Sequence, residues 1–577
     1  MIRRREELRM DTVVAPETGV QRVPPARRTW NAAVLVLLGA AFAALVWNRR
    51  WVSDDGLIVL RTVRNLLAGA GPVFNAGERV EANTSTLWTY LLALPSLVWS
   101  PNWSAVVLGL VLSVAGLVLA ADAARRLWRA GAILPAGALV VLVLPPFWDF
   151  GTSGLETGLI TAWLGLTWWL LVRLLRSGRG AWPLAVVLGL APLVRPDLAL
   201  LWLPVGVALL VLEWRSGWRR ILGLAAAALA LPAAYEIFRM GYYGLLVPST
   251  ALAKEAGVTR WEQGGFYLDD LLGTYELRWA GAGLLLTVLA LGLRSAVRRG
   301  GPPAPRKAPT AVVAAVPVVS ALLLGLYVTR VGGDFMHGRM LLPALFCLLL
   351  PVMVVPLSRF TIVPVLAVAV WAGFCLTSLR PAYGATLGPN WIANERLYYV
   401  LLLGEPNPVT AEDYASHPMV ADGVARLQRS GDPSLAIVGG GDWYVYPSTM
   451  DRDTLVWLNL GVAGELAPLD TRVLDGVGLV NPVAGHATGV PGGRIGHDKD
   501  LTPEWFLADA GVEGDTGFVG PQYVEAARAA LLCPRTVEMI DSYRAPLTLD
   551  RFQRNLTGSV DRTSYRYPRQ AVDAARC

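Results

Sequence analysis

The chain is short of charge. Only 16 % of its 577 residues are Asp, Glu, Lys or Arg, against 54 % hydrophobic residues, a balance that excludes both an ordinary water-soluble enzyme and a disordered segment. Histidine and cysteine are scarcer still, at four each. Four cysteines make no dense disulfide framework, and no Cys/His cluster has zinc spacing. The glycine fingerprints of phosphate-binding loops and dinucleotide folds are also missing, which removes those nucleotide-binding classes. No internal repeat or low-complexity tract stands out.

What is present is apolar sequence in long runs. Eleven segments, near residues 30–47, 103–121, 133–148, 155–172, 181–194, 197–212, 220–238, 277–293, 310–329, 339–357 and 360–378, are suited to cross a bilayer, since a helix rises ~1.5 Å per residue. The fold class is therefore a polytopic α-helical membrane protein. The net charge of +7 is a topology signal. Arg125, Arg126 and Arg129, then Arg173, Arg176 and Arg179, then Arg215, Arg219 and Arg220, then Arg294, Arg298, Arg299, Arg306 and Lys307, all lie in short loops at the ends of apolar runs. With the N-terminus inside, every one of these loops falls in the cytoplasm. The bilayer, not nucleic acid, is the implied partner.

The run 86–99 would upset that arrangement if it crossed, so it reads as a helix lying in the outer interface, with Trp88, Trp99 and Trp103 at the boundary. Ala41-Phe42-Ala43 imitates a signal-peptide cleavage site, but the leading polar segment is long and the membrane pattern continues, favouring an uncleaved first span. Gly300 to Pro309 reads as a Pro-rich connection. From Pro381 onward the spans stop, and Gly, Pro, Asp and short β-like runs such as Leu435-Ala436-Ile437-Val438 take over. The expected organisation is a transmembrane domain over 1–380 and a mixed α/β domain over 381–577 on the extracytoplasmic face of the plasma membrane. Cys347 and Cys375 fall in apolar spans and pack as small hydrophobes. Cys533 and Cys577 fall in the exported region, where a disulfide between them is permitted.

Polar density gathers at the outer boundary. Asp54 and Asp55 follow the first span, and paired carboxylates offer one group to abstract a hydroxyl proton and another to orient it, bind sugar or hold a metal. Helix capping is the plainer role open to Asp54. The same loop carries Glu78, Glu81 and Asn83 as candidate sugar or acceptor contacts. Arg330-Val331-Gly332-Gly333-Asp334-Phe335-Met336-His337-Gly338-Arg339 sits between two spans. There His337 and Arg339 make a plausible phosphate clamp, Lys254 a further cation and Asp334 a sugar contact. Asp149 and Glu156 flank a turn and are candidate sugar contacts. Arg195 and Asp197 are as well explained by pairing with each other, because unpaired charge at membrane depth costs ~2.5–3.5 kcal/mol or more. In the exported region, His497-Asp498-Lys499 and the aromatic stretch from Trp443 to Tyr446 are candidate carbohydrate contacts, with Trp443 the principal one.

Taken together, the Asp-Asp pair in the first outer loop, the multi-span bundle and the exported C-terminal domain resemble the GT-C class of lipid-linked glycosyltransferases. The longer strings Ser53-Asp54-Asp55-Gly56-Leu57-Ile58-Val59-Leu60-Arg61 and Glu81-Ala82-Asn83-Thr84-Ser85-Thr86, with the Gly-Gly-Asp-Phe-Met-His-Gly-Arg loop and Gly496-His497-Asp498-Lys499, are similar to the actinobacterial terminal β-(1→2)-arabinofuranosyltransferases. The resemblance implies a polyprenyl (decaprenyl) phosphate arabinofuranose donor, and arabinogalactan or lipoarabinomannan ends as the arabinan acceptor. It implies Asp54 and Asp55 as the acidic pair, one being the general base. The pair leaves open which Asp that is, and whether a divalent cation takes part. A GT-C transferase for another polyprenyl-linked sugar, or a transporter of lipid-linked sugar, is the competing expectation.

Overall fold

The computed structural model describes residues 25–255, 257–297, 307–494 and 496–577. The basic N-terminal segment, Arg298, Arg299, Arg306 and most of the 300–309 connection lie outside the described residues. Within the described residues, seven helices are long and apolar enough to cross a membrane: Ala26–Asn48, Pro101–Leu127, Thr157–Ser177, Pro196–Ser216, Trp218–Tyr242, Leu277–Ser295 and Pro309–Arg330. Shorter apolar helices cover Ala181–Val194, Arg339–Val352 and Ile362–Ser378.

The remaining apolar segment, 133–148, is not a single helix. It divides into strand β1 (Ile133–Pro135) and the helices Gly137–Val143 and Pro145–Phe150. Pro145 and Pro146 explain the second break, because a proline nitrogen cannot donate and its ring clashes with the carbonyl one turn earlier. Strand β2 (Val354–Pro356), at the end of 339–357, pairs antiparallel with β1. The pair is enclosed by protein, as non-helical backbone at membrane depth must be.

Four helices introduce the site. Helix α1 (Pro25–Asn48) is the first span. Helix α2 (Asp54–Leu67) is amphipathic, with Leu57, Leu60 and Val63 buried and Arg64 toward its end. Helix α3 (Thr86–Ser96) has 11 residues, too few to cross. Helix α4 (Pro101–Leu127) packs closely on Thr157–Ser177 because glycines face backbone there. A Cβ on Gly116, Gly158 or Gly165 would meet a carbonyl of the opposing helix, so the two axes approach as small residues allow in membranes.

The C-terminal part carries a four-stranded mixed sheet in the order β4–β3–β5–β6. The hairpin of β3 (Ser434–Gly439) and β4 (Asp442–Pro447) is antiparallel, while β5 (Thr454–Val456) and β6 (Arg472–Leu474) continue it in parallel. Alternation along β3 sends its residues into two cores. Leu435 and Ile437 join a core with Trp505, Phe506 and Met539. Ala436 belongs to a larger one that runs without interruption from the helical bundle through Tyr399, Tyr414 and Leu460. A disulfide joins Cys533 to Cys577, with Cα atoms 5.8 Å apart; Cys347 and Cys375 are free and buried.

Candidate active site

The start of α2 is where three parts of the chain meet. Ser53 caps the helix, its hydroxyl accepting from the Gly56 N–H and donating to the Ser153 carbonyl at 3.0 Å. The two following carboxylates then diverge. Asp54 turns toward the C-terminal part. Its oxygens accept from the backbone N–H groups of Gly461 at 3.1 Å and Val462 at 2.9 Å, in the first turn of the helix Leu460–Leu466, and from the Tyr399 hydroxyl at 3.4 Å. Gly461 is required there, because any Cβ would run into the Asp54 carbonyl. Burial pushes the Asp54 carboxyl up to about 7, with neighbouring Asp55 adding to the rise and the two N–H donors opposing it.

Asp55 turns the other way, toward cations. Arg339 Nη1 lies 3.2 Å and Lys254 Nζ 4.0 Å from its Oδ2, and 19 % of its side chain is exposed. Burial opposes ionisation, but Lys254, Arg339 and His497 outweigh it and hold Asp55 below the usual carboxylate range. Arg339 also donates Nε to Asp334 at 2.6 Å, so one guanidinium bridges Asp334 and Asp55. Phe335 packs edge-on against His497, with centroids 5.0 Å apart, and carries the Arg494 guanidinium over its face at 4.9 Å. Thus Arg494 and His497 close over the Gly-Gly-Asp-Phe loop, and residues 496–499 follow it. They are pinned by the Arg260–Asp498 ion pair and by Lys499, which donates to the Gly485 carbonyl.

His337 does not join Arg339 in a clamp. Its Nδ1 contacts Asp270 at 2.5 Å and Tyr383 at 3.0 Å, and its Nε2 contacts Tyr275 at 3.0 Å. Both ring nitrogens are thereby engaged, leaving neither for a phosphate. Gly338, at φ +69°, turns the chain between the two residues.

The other sequence candidates fall into separate clusters. Glu78 is enclosed in an ion-pair quartet, 2.9 Å from both Arg472 and Arg544, which in turn hold Asp509. Glu81 accepts from Arg239 at 2.7 Å and Tyr235 at 2.7 Å, and Asn83 donates to Thr89 at 3.3 Å. Asp149 takes Arg49 at 2.5 Å. Glu156 lies 3.8 Å from Arg195, which forms a two-point pair with Asp197. Trp443 corrects the expectation of a glycan contact. It is 4 % exposed, packs on Trp457 at 5.5 Å and donates to the Met419 carbonyl, so it presents no face to a sugar. Among the described residues, no group of three or more His, Cys, Asp or Glu is arranged to hold a metal ion.

Glu395 is the site residue that sequence reasoning missed. Its Oε1 accepts the Asp54 backbone N–H at 3.1 Å, yet nothing local in the sequence links positions so far apart. Arg61 was visible as part of a motif but without a role. Its guanidinium is fully buried and donates to the carbonyls of Phe74, Gly464, Ala467, Pro468 and Thr471 at 2.7–3.1 Å.

The chain is similar to known proteins over most of its length. The AftB family C-terminal domain matches residues 442–564. A curated terminal β-(1→2)-arabinofuranosyltransferase of Mycobacterium tuberculosis is 42 % identical, the match covering 92 % of this chain and 94 % of the relative. One of the same name from Corynebacterium glutamicum is 39 % identical over 88 % of this chain and 82 % of the relative. No solved structure matches.

Proposed function

We propose, because this chain belongs to the terminal β-(1→2)-arabinofuranosyltransferase family, that it is a membrane glycosyltransferase moving arabinofuranose from a polyprenyl phosphate onto the ends of cell-wall arabinan. The observation that carries the reading is Asp55: an ionised, partly exposed carboxylate beside Lys254 and Arg339. In the transfer, the acceptor hydroxyl gives its proton to Asp55 as its oxygen bonds to the anomeric carbon. The bond from that carbon to the phosphate breaks, and its electron pair leaves with the polyprenyl phosphate. Charge grows on the phosphate as the sugar departs, so cations already fixed nearby favour the transition state over the ground state. Lys254 and Arg339 take that part, with Asp334 orienting Arg339. Asp54 fixes the helix that presents its neighbour.

The extracytoplasmic face is supported by the distribution of arginine. Helix α4 begins beside the C-terminal part, where Asn102 donates to Val409 and Glu465, and ends at Arg125 and Arg126. Thr157–Ser177 likewise begins near the site and ends at Arg176. The basic ends therefore point away from the site, which the positive-inside rule assigns to the exterior.

The test is transfer by purified protein from polyprenyl phosphates bearing arabinofuranose, mannose or galactose to a short arabinan. A single added pentose from the arabinofuranosyl donor alone is expected. A hexose product, or donor movement across vesicles without transfer, would overturn the reading.

A further inference from the structure

Glu395 opens the helix Glu395–Leu403 and is 8 % exposed. One oxygen accepts the Asp54 N–H at 3.1 Å; the other, Oε2, is enclosed and has no hydrogen-bond partner. Among the described residues it forms no salt bridge within 4.0 Å. The groups that face it are Asp54 and Asp55 from α2, with Arg339 and Arg494 beyond salt-bridge range, and the hydroxyl-bearing Tyr399 and Tyr414. A further negative charge beside Asp55 would be poorly compensated here. Like charges repel strongly where water is excluded, and a buried carboxylate without a cation escapes that cost by holding its proton.

We propose that Glu395 is a positioning residue of the acidic pair and works as a neutral carboxylic acid. Its Oε1 fixes the Asp54 amide, and with it the first turn of α2. Its protonated Oε2 adds no charge beside Asp55, which stays ionised to receive the acceptor proton. Glu395 itself forms no bond to substrate. Burial, reinforced by Asp55 and Asp54, holds its carboxyl well above the usual range, consistent with the geometry. The proposal rests on Asp55 being the base.

The experiment compares wild type with Glu395→Gln, Glu395→Ala and Asp55→Asn as full-length purified proteins, recording transfer rate and donor KM across pH beside thermal melting. Glutamine reproduces the neutral acid, so Glu395→Gln should keep kcat within about twofold of wild type at neutral pH. As pH rises and Glu395 ionises, wild type should lose rate while Glu395→Gln does not. Glu395→Ala should lose at least tenfold in kcat with little change in donor KM. A folded Glu395→Gln as inactive as Glu395→Ala, beside an inactive Asp55→Asn, would overturn the proposal and leave the base in place. Superimposable alkaline limbs in wild type and Glu395→Gln would overturn it too. An active Asp55→Asn would remove the base assignment, and this proposal with it.

Discussion

Asp54 and Asp55 are neighbours in the chain with different surroundings, and a substitution that removes charge but not shape separates their roles. Asp55→Asn should cut transfer by ~10²-fold or more, the usual span for losing a general base, while the melting temperature barely moves. Asp54→Asn should do the converse in part. Asparagine keeps one acceptor for Gly461 or Val462, so the docking weakens by ~1 kcal/mol, as for a helix cap, and the rate falls only through misplacement of α2. Single-turnover transfer and thermal melting on the two variants decide it. A dead Asp54→Asn beside a working Asp55→Asn would reverse the assignment. The sequence marked this pair as the place to look for a base without choosing between its members. The choice depends on Gly461, Val462, Lys254 and Arg339, none of them near in the chain. His337 shows the opposite failure. A histidine among glycines beside an arginine reads as a ligand until the fold supplies Asp270, Tyr275 and Tyr383.

At the scale of elements, α2 is held by its partner as firmly as by its own hydrogen bonds. Arg61 fills five carbonyls, and Arg64 pairs with Glu465 at 2.9 Å. Charge-assisted bonds contribute ~1.5–3 kcal/mol each before desolvation is counted. Arg61→Met should therefore destabilise the protein by ~3–5 kcal/mol. Arg61→Lys, which retains the charge but only three donors, should fold and still lose ~10-fold or more in transfer as α2 shifts. Melting curves and steady-state transfer on both variants check this; full activity in a folded Arg61→Lys would show that the guanidinium is not needed to place α2. The amphipathic pattern of α2 and most of the apolar helices could be read from periodicity and hydropathy. The division of 133–148 could not, because its carbonyls are satisfied by pairing β1 with β2, more than two hundred residues along the chain.

For the whole molecule, the bundle and the C-terminal part are joined by buried charge as well as by a shared core. In the quartet of Glu78, Arg472, Asp509 and Arg544, burial opposes ionisation of Asp509, but the two arginines hold it well below the usual carboxylate range. A depressed acid adds stability that is fully present above its unfolded pKa and lost as pH falls toward the folded one. Melting temperature should accordingly fall as pH drops below about 4. Asp509→Asn should be destabilised by ~3–5 kcal/mol at neutral pH and show a flatter acid limb, and an unchanged limb would remove Asp509 from the junction. Arg61 carries a different consequence, one of timing. The Gly464 carbonyl it fills is 403 positions later in the chain. At ~5–20 residues per second of synthesis, α2 waits roughly twenty seconds to more than a minute for its partner. Until then Asp55 has neither its fixed helix nor its His497 neighbour, so the proposed base is assembled only near the end of synthesis.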